Sequence, residues 1–251
     1  MFRLAPIIVL APFLGAKLIP GPAKIAIAIS LTFLFLPTII LNAHTTYMTD
    51  AAFVMLTFKE LIIGFILGFF AAVPFYVAQS AGIYIDHLRG SSMLMAQDPT
   101  MQAQVSSIGV MFNYYLIVLF YAIDGPLFFF NAIGTSFQVF PVDAFMHPDF
   151  YQLSQPFWQA GMGILSHVFS ISLQLAAPSL IAILMGEAFL GIANRLAPQV
   201  QIAFLGMSIK SLLGLTLLWA AWYIILQQMS SNSLTWIHSI ENLILKSSIA
   251  Q

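Results

Sequence analysis

Residues 51–85 read AAFVMLTFKELIIGFILGFFAAVPFYVAQSAGIYI, and the charges in this run are the adjacent pair Lys59 and Glu60. One straight helix needs about 20 apolar residues to cross the hydrocarbon of a bilayer, so this run is longer than a single upright span requires. A helix that bends at Pro74 accounts for it. The rest of the chain has the same character. Its 251 residues are 60% hydrophobic and 7% charged, whereas an ordinary soluble domain carries about 25% charged residues. A soluble fold could not cover its surface with so few polar side chains, while lipid or the apolar flank of a partner subunit asks for none.

Working outward in both directions, polar residues and prolines divide the apolar sequence into six to eight hydrophobic helices. Residues 4–19 form a segment kinked or split near Pro12 and closed by Pro20-Gly21-Pro22. Residues 23–41 follow, and 42–50 are a polar turn ahead of the long run. Residues 86–105 are the most polar stretch, read as a loop or interfacial segment. Residues 106–123 return as a helix, Asp124-Gly125-Pro126 turns, and 127–140 is a short aromatic-rich helix. Residues 141–155 are a connector. A run of about 40 residues, 157–196, divides near Pro178, and Ala197-Pro198-Gln199 turns into a long helix over 200–229. Residues 230–233 supply cap-type side chains. A final amphipathic helix lies within 234–248, with Trp236, Ile237, Ile240, Leu243 and Ile244 on one face. The expected fold is an all-α membrane protein, a single polytopic domain over 1–251, with several long, bent helices arranged as hairpins. No internal repeat is visible.

Charge and motif content narrow the function. The formal net charge is -1, with the charges scattered singly and no basic run that would grip nucleic acid. There is no cysteine, hence no disulfide, thiolate nucleophile or thiolate metal site. The apolar start does not read as a signal peptide, because no cleavage site leads into a polar mature chain. HExxH, GxxxxGK[ST], GxSxG and GxGxxG are all missing from the sequence. His44, His87, His147, His167 and His238 stand far apart, and no two of them share helical metal-site spacing. No metal or cofactor is expected.

Charges embedded in apolar helices carry more information, since an ionisable group at bilayer depth costs a few kcal/mol or more and should face protein or a water-filled passage. Neighbours on a helix point about 100° apart, so Lys59 and Glu60 are not expected to pair face to face. Either they seek partners on other segments or subunits, or they reach water near the helix end. Glu187 and Lys210 flank the Pro198 turn at similar distances, so an antiparallel hairpin would bring them level. A buried pair is one reading, and separate solvation in an aqueous lumen is the other. Gly64 and Gly68 form a GxxxG, and Gly186 and Gly191 bracket Glu187, marking candidate sites of close helix packing. A secondary transporter would use Glu187, Lys59 or Asp86 for ion coupling, but would be expected to show related halves. An intramembrane enzyme would need a nucleophile with its base, or metal ligands.

Three blocks in order resemble a known family: Arg3-Leu4-Ala5-Pro6 with Ala11-Pro12-Phe13-Leu14-Gly15, Ile19-Pro20 and Pro22-Ala23-Lys24; then 59–69 with Gln79-Ser80-Ala81-Gly82 and Ile85-Asp86; then Pro178 through Gly186-Glu187, Leu190-Gly191 and Asn194-Arg195-Leu196-Ala197-Pro198-Gln199-Val200-Gln201 to Lys210-Ser211. Together they are similar to the T-subunit family of the type III secretion export apparatus, SctT of virulence injectisomes and FliR of flagella. Lys210-Ser211 and Glu187 look more like the injectisome branch. Members usually carry a further hydrophobic segment ahead of the Arg-x-x-Pro block, so a shortened chain or a misassigned start is expected here.

The resemblance implies a non-enzymatic, channel-forming subunit in the bacterial inner membrane. It implies R, S and U subunits as partners, unfolded secreted proteins in transit, contact with lipid, and no cofactor. On that basis Glu187, Arg195, Pro198, Gln199 and Lys210 are expected to form the hairpin that positions the subunit. Lys59 and Glu60 are expected at intersubunit contacts, and Asp86 with the loop after it at the passage or the U subunit.

Overall fold

The computed structural model describes residues 1–15, 19–43, 50–90, 106–145, 156–196 and 202–248. Among these the chain is helical throughout, with eight α-helices and one 3-10 turn. They are α1 (Leu4–Leu10), α2 (Gly21–Leu41), α3 (Asp50–Leu88), α4 (Ser107–Ala122), α5 (Gly125–Val139), α6 (Pro156–Leu196), α7 (Ile202–Ala220) and α8 (Trp222–Ser248). The helices α2, α3 and Gly161–Leu196 of α6 are long and apolar enough to cross a membrane, with mean hydropathies of 2.2, 2.4 and 2.0. Two bent pairs, α4 with α5 and α7 with α8, bring the number of possible spans to five.

Local chemistry explains most boundaries. The opening segment is split at Pro12, as one of the two readings expects: its helix ends at Leu10, because the residue before a proline is pushed out of the α region. Ala11 is accordingly extended (φ -73°, ψ 113°), and Pro12–Leu14 makes the 3-10 turn, closed by Gly15 in the left-handed conformation. Pro22 sits in the first turn of α2, where its missing amide is no loss. Asp124 takes φ 56° ahead of α5, a conformation that a short polar side chain tolerates better than most.

Two boundaries differ from the sequence reading. The expected loop from residue 86 begins later, since α3 continues to Leu88. At the other end, the helix break falls at Ala221, where α7 and α8 meet at 62°, and not at 230–233. No glycine or proline marks Ala221. What distinguishes the place is Trp222, packed edge-on against Tyr115 at 4.7 Å and tilted against Phe112 at 6.1 Å. Ser230 to Ser233 continue the helix, with Ser233 buried. Both α3 and α6 run through Pro74 and Pro178 without interruption, so the division expected near Pro178 does not occur. At 39 residues and a rise of 1.5 Å per residue, α3 is about 58 Å long, nearly twice the hydrocarbon thickness.

The chain forms two compact units. The first comprises Met1–Pro74, Leu119–His167 and Ser233–Gln251. Its core holds Leu4, Ile7, Ile8, Ile63, Leu67, Ile133 and Phe137. Phe13 lies 4.7 Å from Phe120 and 5.3 Å from Phe129, while Tyr121 donates a hydrogen bond to the Phe13 carbonyl. The second unit comprises Phe75–Val118 and Val168–Asn232. Phe75, Ile85, Phe112, Ile183, Ile225 and Met229 are buried in it.

Candidate functional site

Glu60, Gly64 and Gly68 follow one another at i, i+4 and i+8, and so share a single face of α3. That face receives the N-terminal segment. A Cβ at Gly64 would lie 2.1 Å from the Arg3 carbonyl oxygen, and one at Gly68 would lie 3.0 Å from the Ile7 Cα. The GxxxG therefore allows backbone-to-backbone contact with α1, as the small-residue reading expects. The same contact carries the Arg3 side chain to Glu60, one turn along.

Arg3 is buried to 1% exposure, and each of its five N–H donors has an acceptor. Nε donates to Glu60 Oε2 and Nη2 to Glu60 Oε1, both at 2.8 Å. Nη2 also donates to the Phe140 carbonyl at 2.7 Å. Nη1 donates to the Ser136 carbonyl at 2.7 Å and to Ser136 Oγ at 3.1 Å. The guanidinium further stacks on Phe137, 4.2 Å from the ring centroid. Lys59 lies alongside, with Nζ 3.2 Å from Glu60 Oε1 and donating to the carbonyls of Pro141 (2.5 Å) and Ala144 (2.9 Å).

Ser136, Phe140 and Pro141 stand at the C-terminal end of α5, where the helix dipole places about half a negative charge. Two cations and one carboxylate thus meet a helix end that favours the surplus positive charge. The arrangement joins α1, α3 and α5 at one point. Its chemistry is fastening: each donor is already bound to an acceptor within the chain.

The sequence reading separated Lys59 and Glu60 on geometric grounds, and their side chains nevertheless converge, because the long lysine stem bends back to the carboxylate. They are buried, 8% and 6% exposed. Their hydrogen bonds run to other segments of the same chain. Arg3 is the residue that sequence reasoning missed, having been noted only within the Arg-x-x-Pro block. A lone arginine in an apolar segment, with a carboxylate on a GxxxG face elsewhere, was the available signal.

Asp86, expected in a loop, lies instead in the last turn of α3 at 3% exposure. Its carboxylate accepts from Arg89 Nη2 and Ser106 Oγ at 2.6 Å each, and from the Ile108 amide at 3.0 Å. Ser106 in turn caps α4 by accepting from the Gly109 amide at 2.9 Å. A negative charge at a helix N-terminus is favourable, so Asp86 both caps α4 and ties it to α3. Here α3 and α4 touch through glycines: a Cβ on Gly82 would be 2.3 Å from the Gly109 amide nitrogen. Residues 91–105 lie outside the described residues.

Glu187 and Lys210 do meet, with Lys210 Nζ 2.7 Å from Glu187 Oε1. The pair is not buried as one reading expected, since the Glu187 side chain is 52% exposed. Gly186 packs under Leu213, whose Cδ1 would be 2.9 Å from an added Cβ, whereas a Cβ on Gly191 would meet nothing within 4 Å among the described residues. Arg195 is exposed in the last turn of α6. Pro198 and Gln199 lie outside the described residues. Among the described residues no three His, Asp or Glu side chains gather where a metal ion could bind.

The fold and these fasteners define an all-helical membrane protein whose buried charges join its own helices. A family model for bacterial export proteins, family 1, matches residues 1–235, and the chain belongs to that family. It is 31% identical over 203 residues to the secretion system apparatus protein SsaT of Salmonella typhimurium, covering 80% of this chain and 74% of that protein. It is 30% identical to Yop proteins translocation protein T of Yersinia pestis, covering 84% and 79%. The flagellar biosynthetic protein FliR of Bacillus subtilis is 28% identical, covering 83% and 78%. The chain is thus a relative of export-apparatus components of both secretion systems and flagella.

Proposed function

We propose that this chain is a structural, channel-forming subunit of a type III secretion export apparatus in the bacterial inner membrane, working with R, S and U subunits. The observation that carries the reading is the family match over residues 1–235, with relatives named for secretion and translocation. Large apolar side chains left bare along the helices support a protein that lives among lipid and sibling subunits. Phe33 and Met185 are each 69% exposed, and Trp219 is 82% exposed. On this reading Glu187, Arg195 and Lys210, which are accessible on the isolated chain, face other subunits, and Pro198 and Gln199 shape the turn between them. Lys59, Glu60 and Asp86 act from inside, by holding the helices that make those surfaces. The chain moves protein without catalysing a reaction of its own.

Deleting the gene should stop export of every type III substrate into the medium while general secretion continues. Normal type III export in the deletion strain would refute the proposal. Affinity isolation of the tagged chain should recover the R and S subunits in the same particle, and a chain that purifies alone and moves a small solute would make it a transporter. The injectisome assignment is supported by Lys210-Ser211 and Glu187. A deletion strain that loses motility and keeps effector secretion would reassign it to the flagellar branch.

A further inference from the structure

A proline inside a helix has no amide to give the carbonyl four residues earlier, and its ring pushes on that same carbonyl. Among the described residues, three prolines stand inside helices beyond the first turn: Pro37 in α2, Pro74 in α3 and Pro178 in α6. The carbonyls they leave without a helical donor belong to Phe33, Phe70 and Gln174. Phe33 and Gln174 are exposed, whereas Phe70 is 9% exposed. In a membrane protein such freed groups must be satisfied by neighbouring helices where water is excluded. The buried one has a donor: Trp236 Nε1, from the C-terminal part of α8, lies 2.8 Å from the Phe70 carbonyl oxygen.

Trp236 suits this position chemically. Its indole offers one N–H donor and no acceptor, so a single bond satisfies it completely while the bicycle fills apolar space. The ring is 8% exposed, and one turn earlier Ser233 is buried at 3%. Both line a small crevice together with Pro74, Ala71 and Phe129. All of these residues belong to one compact unit.

We infer that the Trp236 indole replaces the amide that Pro74 removes, and that this bond clasps the C-terminal helix to the middle of α3. The proline and the tryptophan are then one device in two pieces. Pro74 creates a buried acceptor at a defined level of α3, and that acceptor selects where α8 docks. It follows that each residue matters because of the other.

The test is a double-mutant cycle on the full chain in its membrane-extracted assembly, read as the thermal unfolding midpoint of Trp236→Phe, Pro74→Ala and the double variant. Trp236→Phe removes the donor and keeps an aromatic ring, and should lower the midpoint by about 3–6 °C for a chain of this size. With Pro74→Ala the helix supplies its own amide to Phe70, so the same tryptophan substitution should then cost about 1 °C or less. An equal drop in both backgrounds would show that Trp236 serves packing alone and would overturn the inference, as would no drop in either. Should Pro74→Ala fail to accumulate, benzothienylalanine at position 236, which keeps the bicycle and lacks the N–H, decides the matter. The midpoint should fall as far as with Trp236→Phe, and an unchanged midpoint overturns the clasp.

Discussion

Arg3 and Glu60 are buried together, so removing one leaves the other as an unpaired buried charge. Arg3→Ala or Glu60→Ala should each cost about 3–5 kcal/mol of stability, and replacing both with apolar residues of similar size should cost less than the two single changes summed. Thermal melts of the detergent-extracted chain measure this, and strictly additive losses would mean that the two side chains act independently. Arg3→Lys should not rescue the fold, because an ammonium has three donors where five acceptors wait, two on Glu60 of α3 and three at the C-terminal end of α5. The Glu187–Lys210 pair stands at the other extreme. With Glu187 half exposed, either single substitution should lower the stability of the isolated chain by no more than about 1 kcal/mol. The exchanged pair, Glu187→Lys with Lys210→Glu, should recover most of that. A larger loss in the assembled particle than in the isolated chain would show that a partner covers the pair.

At the scale of elements, glycines and one carboxylate set the helix crossings. Gly64→Ala and Gly82→Ala place a methyl group against backbone that cannot turn aside, at 2.1 Å and 2.3 Å respectively. Each should cost well over the 1–3 kcal/mol or so that ordinary overpacking costs, and should lower the amount of folded chain in the membrane. Gly191→Ala meets nothing within 4 Å and should be neutral or should stabilise α6 by about 0.5–1 kcal/mol through helix propensity. Fluorescence-detected size exclusion of the three variants ranks them in one experiment, and a stable, abundant Gly64→Ala protein would contradict the close crossing of α1 and α3. Asp86→Ala removes a cap on α4 together with the partner of Arg89. It should increase amide exchange at the first turn of α4, with a loss of at least the ~1 kcal/mol typical of a helix cap.

At the scale of the molecule, the exposed apolar surface sets the environment the chain requires. Phe33 is 69% exposed on α2, a helix buried over only 11% of its apolar window. Phe33→Asp should therefore leave the Arg3 cluster intact yet reduce membrane integration, by about 2.5–3.5 kcal/mol of insertion free energy if it lies at mid-bilayer. A glycosylation-based insertion assay reads this, and unchanged integration would place Phe33 against protein or water instead. Much of this was legible in the amino-acid sequence. Apolar run lengths are a one-dimensional property, so the helical membrane fold, the length of α3, the GxxxG face and the family blocks could all be read before any coordinate. The Glu187–Lys210 contact followed from hairpin symmetry, though its exposure did not. Three things required the tertiary structure: the partner of Glu60, the break at Ala221, and the donor for Phe70. Each depends on residues far apart in the chain, and where a charge, a ring or a freed carbonyl finds its partner is settled by how the helices pack. Helical periodicity can assign a residue to a face. What stands opposite that face is decided only when the chain has folded.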